Sequence, residues 1–438
     1  MFIDSRFRKK AIGFLLLLAV VSGTVFELQI VSEILLSLAL LFLLNEICNK
    51  YLPGMKSVKI VLISALFLRL GIIFYSFILS GLIIPSDAAG YEQTGKEILK
   101  QWLSGHVFFI AGGGESGKFQ FLYYTYNAVC FLLFGINAFI PRIFNAFLGV
   151  LAGIVLFNLV GRTLGRRTAS VSLALYIFFP SIVYFQTLNL KEAGIILMIL
   201  TAVSKLQQYS ENTRLKTILF ATVASAVLMF LRIYLGFILI FICGCLFIYY
   251  SRLCLGIKVA GIAAAFLLLG EFTALQGYGI FGYSLIKQFN LNELYNFRIF
   301  GYAGGSQVLI KYDTSTLGGL LRFIPVSTLY FWFAPFFWQW NILPNSLAKF
   351  AALENAFFIA IFATTIISGV RSVIQRSEKL VILIVMLVAP LSLVYIISYG
   401  NMGLGLRMRD QMLPIVFIFT AAGSIRLYEW QVLKKLKS

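Results

Sequence analysis

The residues best placed to do chemistry are Asp87, Tyr91 and Glu92, in the stretch Ile84-Pro85-Ser86-Asp87-Ala88-Ala89-Gly90-Tyr91-Glu92. It lies where a long apolar run, Val58 to Ile84, gives way to a polar, glycine-rich region. A carboxylate at such a mouth suits the deprotonation of an acceptor hydroxyl when the donor is a lipid, provided it comes within hydrogen-bond reach of that proton. The competing role is structural, because Asp87 also stands where an N-cap would start a surface helix over Asp87 to Leu103. Aspartate is scarce here: Asp4, Asp87, Asp313 and Asp410 are the whole set, and His106 is the sole histidine. One histidine removes His-based zinc sites, the HExxH motif and most Ser/His/Asp chemistry. Any chemistry therefore rests on Asp, Glu, Arg, Lys and Tyr.

The elements that must position these residues are membrane helices. The chain is 60% hydrophobic and 12% charged, against about 25% charged residues in soluble domains. Apolar runs approaching the roughly 20 residues that a crossing needs recur from Ala11 to Leu427. The fold class is an all-α polytopic membrane protein. The net charge of +19 does not indicate nucleic acid, since most Lys and Arg fall in short clusters between apolar runs, as the positive-inside rule requires.

Arg6, Arg8, Lys9 and Lys10 place the amino terminus in the cytoplasm, and parity then gives about 12 transmembrane helices with both ends inside. Residues 1–57 hold two N-terminal transmembrane helices. Residues 58–276 form a transmembrane module whose first external loop is 85–137. Residues 277–349 combine an external loop with an aromatic interfacial segment around Tyr330 to Trp340. Residues 350–438 form the C-terminal transmembrane helices around a Gly-rich external loop, 399–411. Parity makes the apolar run 119–136 and the aromatic segment interfacial or re-entrant. Arg232 is expected at an external turn splitting the run 217–250 into two spans.

This topology collects charges on the external side: Asp87 with Glu92, Arg142 with Asn145, Lys191 with Glu192, Arg232, Arg298, Arg322, and Arg407 and Arg409 beside Asp410. Ionisable residues at membrane depth are costly and tend to mark a functional cavity. Arg407 and Arg409 among Gly400, Gly403 and Gly405 could clamp a phosphate in bidentate fashion. Each arginine singly could instead snorkel to headgroups; the set together favours an anionic ligand at the external face. Gly112 to Lys118 matches the start of a Walker A loop but has Phe119 where the magnesium-binding Ser or Thr belongs, so it reads as a flexible loop. Cys48, Cys130, Cys243, Cys245 and Cys254 fit no metal spacing and read as small apolar residues.

The order of segments resembles a known family. After the span and its external Ser86-Asp87-Ala88-Ala89-Gly90-Tyr91 come Pro141-Arg142-Ile143-Phe144-Asn145-Ala146-Phe147-Leu148-Gly149 and the basic Gly161-Arg162-Thr163-Leu164-Gly165-Arg166-Arg167. Phe179-Pro180-Ser181-Ile182-Val183-Tyr184-Phe185-Gln186-Thr187-Leu188-Asn189-Leu190-Lys191-Glu192 follows. This is similar to the bacterial GT-C glycosyltransferases related to protein mannosyltransferases and aminoarabinose transferases, over roughly residues 60–235. The resemblance implies a GT-C-like fold and transfer of a sugar from a polyprenyl-phosphate or polyprenyl-diphosphate donor to a glycan, lipid or protein acceptor. It implies a site on the external or periplasmic face of a bacterial inner membrane. Asp87 would be the catalytic carboxylate and Glu192 the second acidic residue. Ala88 departs from the second acidic residue that many members carry at that point, and two spans precede the usual first one.

Tyr91, Glu92, Arg142, Asn145, Lys191, Arg232, Arg298, Arg407, Arg409 and Asp410 are the candidate substrate-binding residues. The expected partners are the polyprenyl-linked sugar donor, its acceptor and membrane lipids, with no nucleic acid. The residues require no cofactor and admit a divalent cation. Two other functions predict different patterns of charge. An O-antigen-type polymerase or ligase would need the arginines and not Asp87. A transporter or flippase of lipid-linked glycans would spread its charges across mid-membrane.

Overall fold

A computed structural model of the protein describes residues 5–25, 27–78, 86–105, 121–254, 290–300, 308–309, 311–339 and 346–437, with isolated positions between 256 and 270. Among the described residues there are helices and no strand. The chain divides into two compact units. The first is Met1–Leu159 with Leu173–Leu200 and Phe230–Ile233, and the second is Val160–Ser172 with Thr201–Met229 and Tyr234–Ser438.

In the first unit α1 (Ser5–Thr24) and α2 (Gln29–Tyr51) pack as a hairpin, and α3 (Lys56–Ile78) follows against α2. Next come α4 (Ser86–Leu103), α5 (Phe121–Phe134) and α6 (Phe139–Thr163), with α5 packed on both α4 and α1. The turn between α5 and α6 is a tight fit: a Cβ on Gly135, whose φ is +78°, would lie 2.6 Å from the Gly23 carbonyl oxygen. Only glycine takes that backbone conformation without strain while letting two chains touch. Helix α7 (Arg166–Phe178) stops before Pro180, which removes an N–H and disfavours helical backbone at Phe179. The short α8 (Pro180–Gln186) then departs at 58°. Helix α9 (Glu192–Asn212) begins after a five-residue turn, 187–191. Helices α10 (Leu215–Leu231) and α11 (Ile233–Tyr250) break at Arg232, the residue expected at that turn.

In the second unit the described elements are α12 (Leu291–Phe300), α13 (Leu317–Phe333), α14 (Ser346–Arg376), α15 (Glu378–Ile397), α16 (Met402–Asp410) and α17 (Leu413–Lys437), besides the segments shared along α6, α7, α9, α10 and α11. Helices α14 and α17 pack most closely. A Cβ on Gly369 would stand 2.0 Å from the Phe419 carbonyl oxygen, and one on Gly423 would stand 2.1 Å from that of Thr365. Small residues at such contacts let backbones approach where lipid supplies no hydrophobic drive.

Among the described residues six helices are long and apolar enough to cross a membrane: Gln29–Tyr51, Lys56–Ser76, Phe139–Thr163, Ile233–Tyr250, Ala352–Arg376 and Glu378–Ile397. Counting the bent pairs α7 with α8 and α16 with α17 as one span each gives eight. The chain is therefore a multi-pass helical membrane protein. The larger number expected from parity included 217–231, which falls on the 17-residue α10. At about 1.5 Å per residue such a helix is shorter than a hydrocarbon core of about 30 Å. It also included 259–276, most of which lies outside the described residues. So do the last residues of the run ending at Ile84, and the Walker-like Gly112 to Lys118.

Three segments expected between the spans contain helices. The stretch 85–137 carries α4 and the 14-residue α5. The aromatic segment is not one separate element, because Tyr330 to Phe333 close α13, whose N-terminus is capped by Thr316 accepting from the Gly319 N–H. The supposed Gly-rich loop 399–411 is corrected too: Arg407, Arg409 and Asp410 sit on α16, begun by Asn401, whose side chain accepts from the Leu404 N–H at 3.1 Å. Gly405 serves packing, since a Cβ there would meet the Tyr399 ring at 2.2 Å.

Candidate functional site

Within the first unit, segments far apart in sequence meet around one side chain, Tyr123. Its hydroxyl donates to Asn189 Oδ1 at 2.9 Å and accepts from Asn145 Nδ2 at 2.8 Å. The Asn145 amide also lies 2.8 Å and 2.9 Å from the carbonyl oxygens of Leu188 and Leu190. Asn189 donates to Asn127 Oδ1 at 2.7 Å, and Asn127 donates back to the Tyr123 carbonyl at 2.9 Å. This closed knot of buried amides ties α5 and α6 to the turn between α8 and α9. Buried polar groups persist only when paired in this way.

The predicted residues line this knot. Tyr91, on α4, packs edge-on against Tyr123, with ring centroids 4.7 Å apart, and against Tyr124 at 5.5 Å. The Lys191 ammonium lies 6.0 Å from the Tyr91 ring centroid. Glu192, the first residue of α9, pairs with Arg232 at 3.3 Å, and both are buried. A carboxylate in the first turn of a helix is also favoured by the helix dipole. Arg142 lies buried near the start of α6, its guanidinium 4.9 Å from the Phe139 ring centroid. Among the described residues its Nε has no hydrogen-bond partner, and the Glu92 carboxylate exerts the largest favourable charge on it. Glu92 itself accepts from Lys96 at 2.6 Å, one turn along α4.

The start of α6 is fixed from below. Asn137 Oδ1 accepts from the Phe139 N–H at 2.9 Å, while its amide donates to Glu33 Oε1 at 2.7 Å. Pro141 in the first turn sacrifices no helical hydrogen bond. The N-terminal hairpin thereby holds the element that carries Arg142 and Asn145. Asp87 lies in the first turn of α4, exposed, and within electrostatic reach of Tyr124. The helix begins at Ser86, two residues earlier than a cap at Asp87 would have it.

Sequence reasoning passed over Arg69. It is fully buried in α3 and grips Gln186 Oε1 with Nε at 3.1 Å and Nη2 at 2.9 Å, while Nη1 donates to the Ala65 carbonyl at 3.1 Å. Gln186 donates to the Tyr176 hydroxyl at 2.9 Å, which donates to the Gly149 carbonyl at 2.8 Å. The signal was available: Arg69 is the sole charge between Lys59 and Asp87, and a lone arginine inside a span marks function or a deliberate support.

The remaining predicted residues form a set in the second unit. Arg409 is fully buried and donates through Nη1 to Asn355 Oδ1 at 2.6 Å and to the Trp332 and Ala334 carbonyls, both at 3.2 Å. Its Nη2 stands 3.9 Å from Glu354 Oε1, beyond hydrogen bonding, and Nε and Nη2 make no hydrogen bond among the described residues. Arg407 and Asp410 are buried on the same helix. Tyr395 donates to Gln411 Oε1 at 2.7 Å, and burial pushes the Tyr399 phenol far above its ordinary range. Arg298 acts as a brace: it donates to the carbonyls of Leu309 (2.8 Å) and Tyr312 and lies 4.6 Å from the Phe323 ring centroid. Arg322 is exposed on α13.

No protein-family model matches the chain, and neither a curated protein nor a solved structure matches it.

Proposed function

We propose that the protein is a GT-C-type glycosyltransferase that moves a sugar from a polyprenyl-phosphate or polyprenyl-diphosphate donor to a glycan, lipid or protein acceptor. It works at the external face of a bacterial inner membrane, in cell-envelope glycan assembly. The observation that carries this is the convergence of Asp87, Tyr91, Arg142, Lys191, Glu192 and Arg232 around the Tyr123 knot. It brings an accessible carboxylate and several cations to one place, as transfer from a lipid phosphate requires. A GT-C arrangement of about twelve crossings belongs to the same proposal.

In the transfer step Asp87 takes the proton of an acceptor hydroxyl as its oxygen bonds to the anomeric carbon. The bond from that carbon to the phosphate oxygen breaks, and the electron pair leaves on the phosphate. Arg142 and Lys191 offset the charge that develops there. Glu192, held against Arg232, keeps the turn 187–191 and that arginine in register. Asn145 acts through the same turn, and Tyr91 and Glu92 shape the α4 wall. A divalent cation would join the phosphate rather than a protein cluster.

The test is transfer of labelled sugar in proteoliposomes by wild type and Asp87→Asn, across a panel of polyprenyl-linked donors. Loss of about a hundredfold or more, with thermal stability kept, is the expected result. Unchanged transfer would return Asp87 to a helix-start role. The buried Arg409, with an edge that makes no hydrogen bond among the described residues, favours an O-antigen-type polymerase or ligase in that outcome.

A further inference from the structure

Arg69 differs from Arg232 and Arg409 in what faces it. Arg232 has Glu192 at 3.3 Å and Arg409 has Glu354 at 3.9 Å. Arg69 faces a neutral amide. Its Nε and Nη2 converge on one oxygen, Gln186 Oε1, in the forked geometry that a carboxylate would fill equally well. Among the described residues the titratable side chain within its electrostatic reach is the Tyr176 phenol. The room for Gln186 comes from Gly149, where a Cβ would stand 2.2 Å from Oε1. Arginine, glutamine, tyrosine and glycine from α3, α8, α7 and α6 thus cooperate to bury a charge with no carboxylate paired to it among the described residues.

Removing a cation from water without a counter-charge is expensive. What it gives in return is reach, because a charge in a low-dielectric interior acts over longer distances than one at a wet surface. Gln186 ends α8, and the next residues form the turn 187–191, whose Leu188 and Leu190 carbonyls and Asn189 side chain enter the Tyr123 knot.

We infer that Arg69, clamped by Gln186, is a positioning residue that holds a standing positive potential beneath the first-unit site and so selects an anionic lipid headgroup there. This rests on the lipid-phosphate donor proposed above.

The decisive variant is Gln186→Glu. It keeps an oxygen for both Arg69 contacts, and Tyr176 can turn its hydroxyl from the Gly149 carbonyl to the new carboxylate. A purely structural clamp would then be as strong or stronger, since the pair becomes charge-assisted. The measurement is binding of polyprenyl monophosphate to the full chain in phosphatidylcholine nanodiscs, with the neutral polyprenol of equal length as control. Thermal unfolding is followed in parallel.

Gln186→Glu is expected to unfold at the wild-type temperature or above it and to bind polyprenol unchanged. It should bind polyprenyl phosphate roughly tenfold more weakly, because a cancelled charge in a low-dielectric interior is felt beyond its immediate neighbours. Equal phosphate affinity in wild type and variant would overturn the role of Arg69. Wild type preferring the phosphate no more than the polyprenol would overturn the inference together with the lipid-phosphate donor. If the tenfold loss appears and no donor in the panel is ever transferred, the inference stands and the transferase proposal falls.

Discussion

Arg232 Nη2 lies 3.3 Å from Glu192 Oε1, joining the break between α10 and α11 to the first residue of α9. Both side chains are buried, so neither can lose its partner to water. Glu192→Ala or Arg232→Ala should each destabilise by about 3–5 kcal/mol, because an uncompensated charge is left behind. The double variant should lose clearly less than the sum. A double-mutant cycle of denaturant unfolding in detergent measures this, and strict additivity would show that the pair is not coupled.

Gly149 supplies the second prediction. Gly149→Ala places a methyl against Gln186 Oε1 and should cost about 1–3 kcal/mol, the scale of overpacking in a filled core. Gly90 on α4 has nothing within 4 Å of a built Cβ. Gly90→Ala should therefore be neutral or stabilise by up to about 1 kcal/mol through helix propensity. Thermal unfolding of the two variants side by side checks the contrast.

Asn145 holds two backbone carbonyls and the Tyr123 hydroxyl with one amide. Asn145→Ala leaves those groups buried with fewer donors and should destabilise by roughly 3 kcal/mol. Asn145→Asp offers acceptors to acceptors and should be at least as damaging. If either variant unfolds like wild type, the knot does not support the turn 187–191.

Arg409→Lys is the fourth test. Nη1 reaches Asn355 and two carbonyls while Nη2 faces Glu354, a planar fork that a lysine ammonium on a flexible stem cannot reproduce. A loss of about 2–4 kcal/mol is expected by chemical denaturation, most of it shared with Asn355→Ala because the two side chains meet at 2.6 Å. Stabilities that add for the double variant would overturn the shared network.

Sequence by itself determined that the chain is a multi-pass helical membrane protein. Bilayer thickness fixes the length of an apolar helix, and that length is readable residue by residue. It also marked Arg232 as a helix break and singled out 87–92, 142–145 and 189–192. Charges and amides beside apolar runs are conspicuous whatever the tertiary arrangement.

Three things needed the tertiary structure. Arg407 and Arg409 lie on a helix because Asn401 caps it and Gly405 packs beneath Tyr399, a contact that glycine composition cannot reveal. The predicted residues separate into two sets, one around Tyr123 and one around Arg409, because membership depends on which helices pack together. Arg69 matters through the residue opposite it. A glutamine 117 positions away leaves its charge standing, where a glutamate would have cancelled it. Long-range pairing of that kind is set by packing, and no local pattern in the chain encodes it.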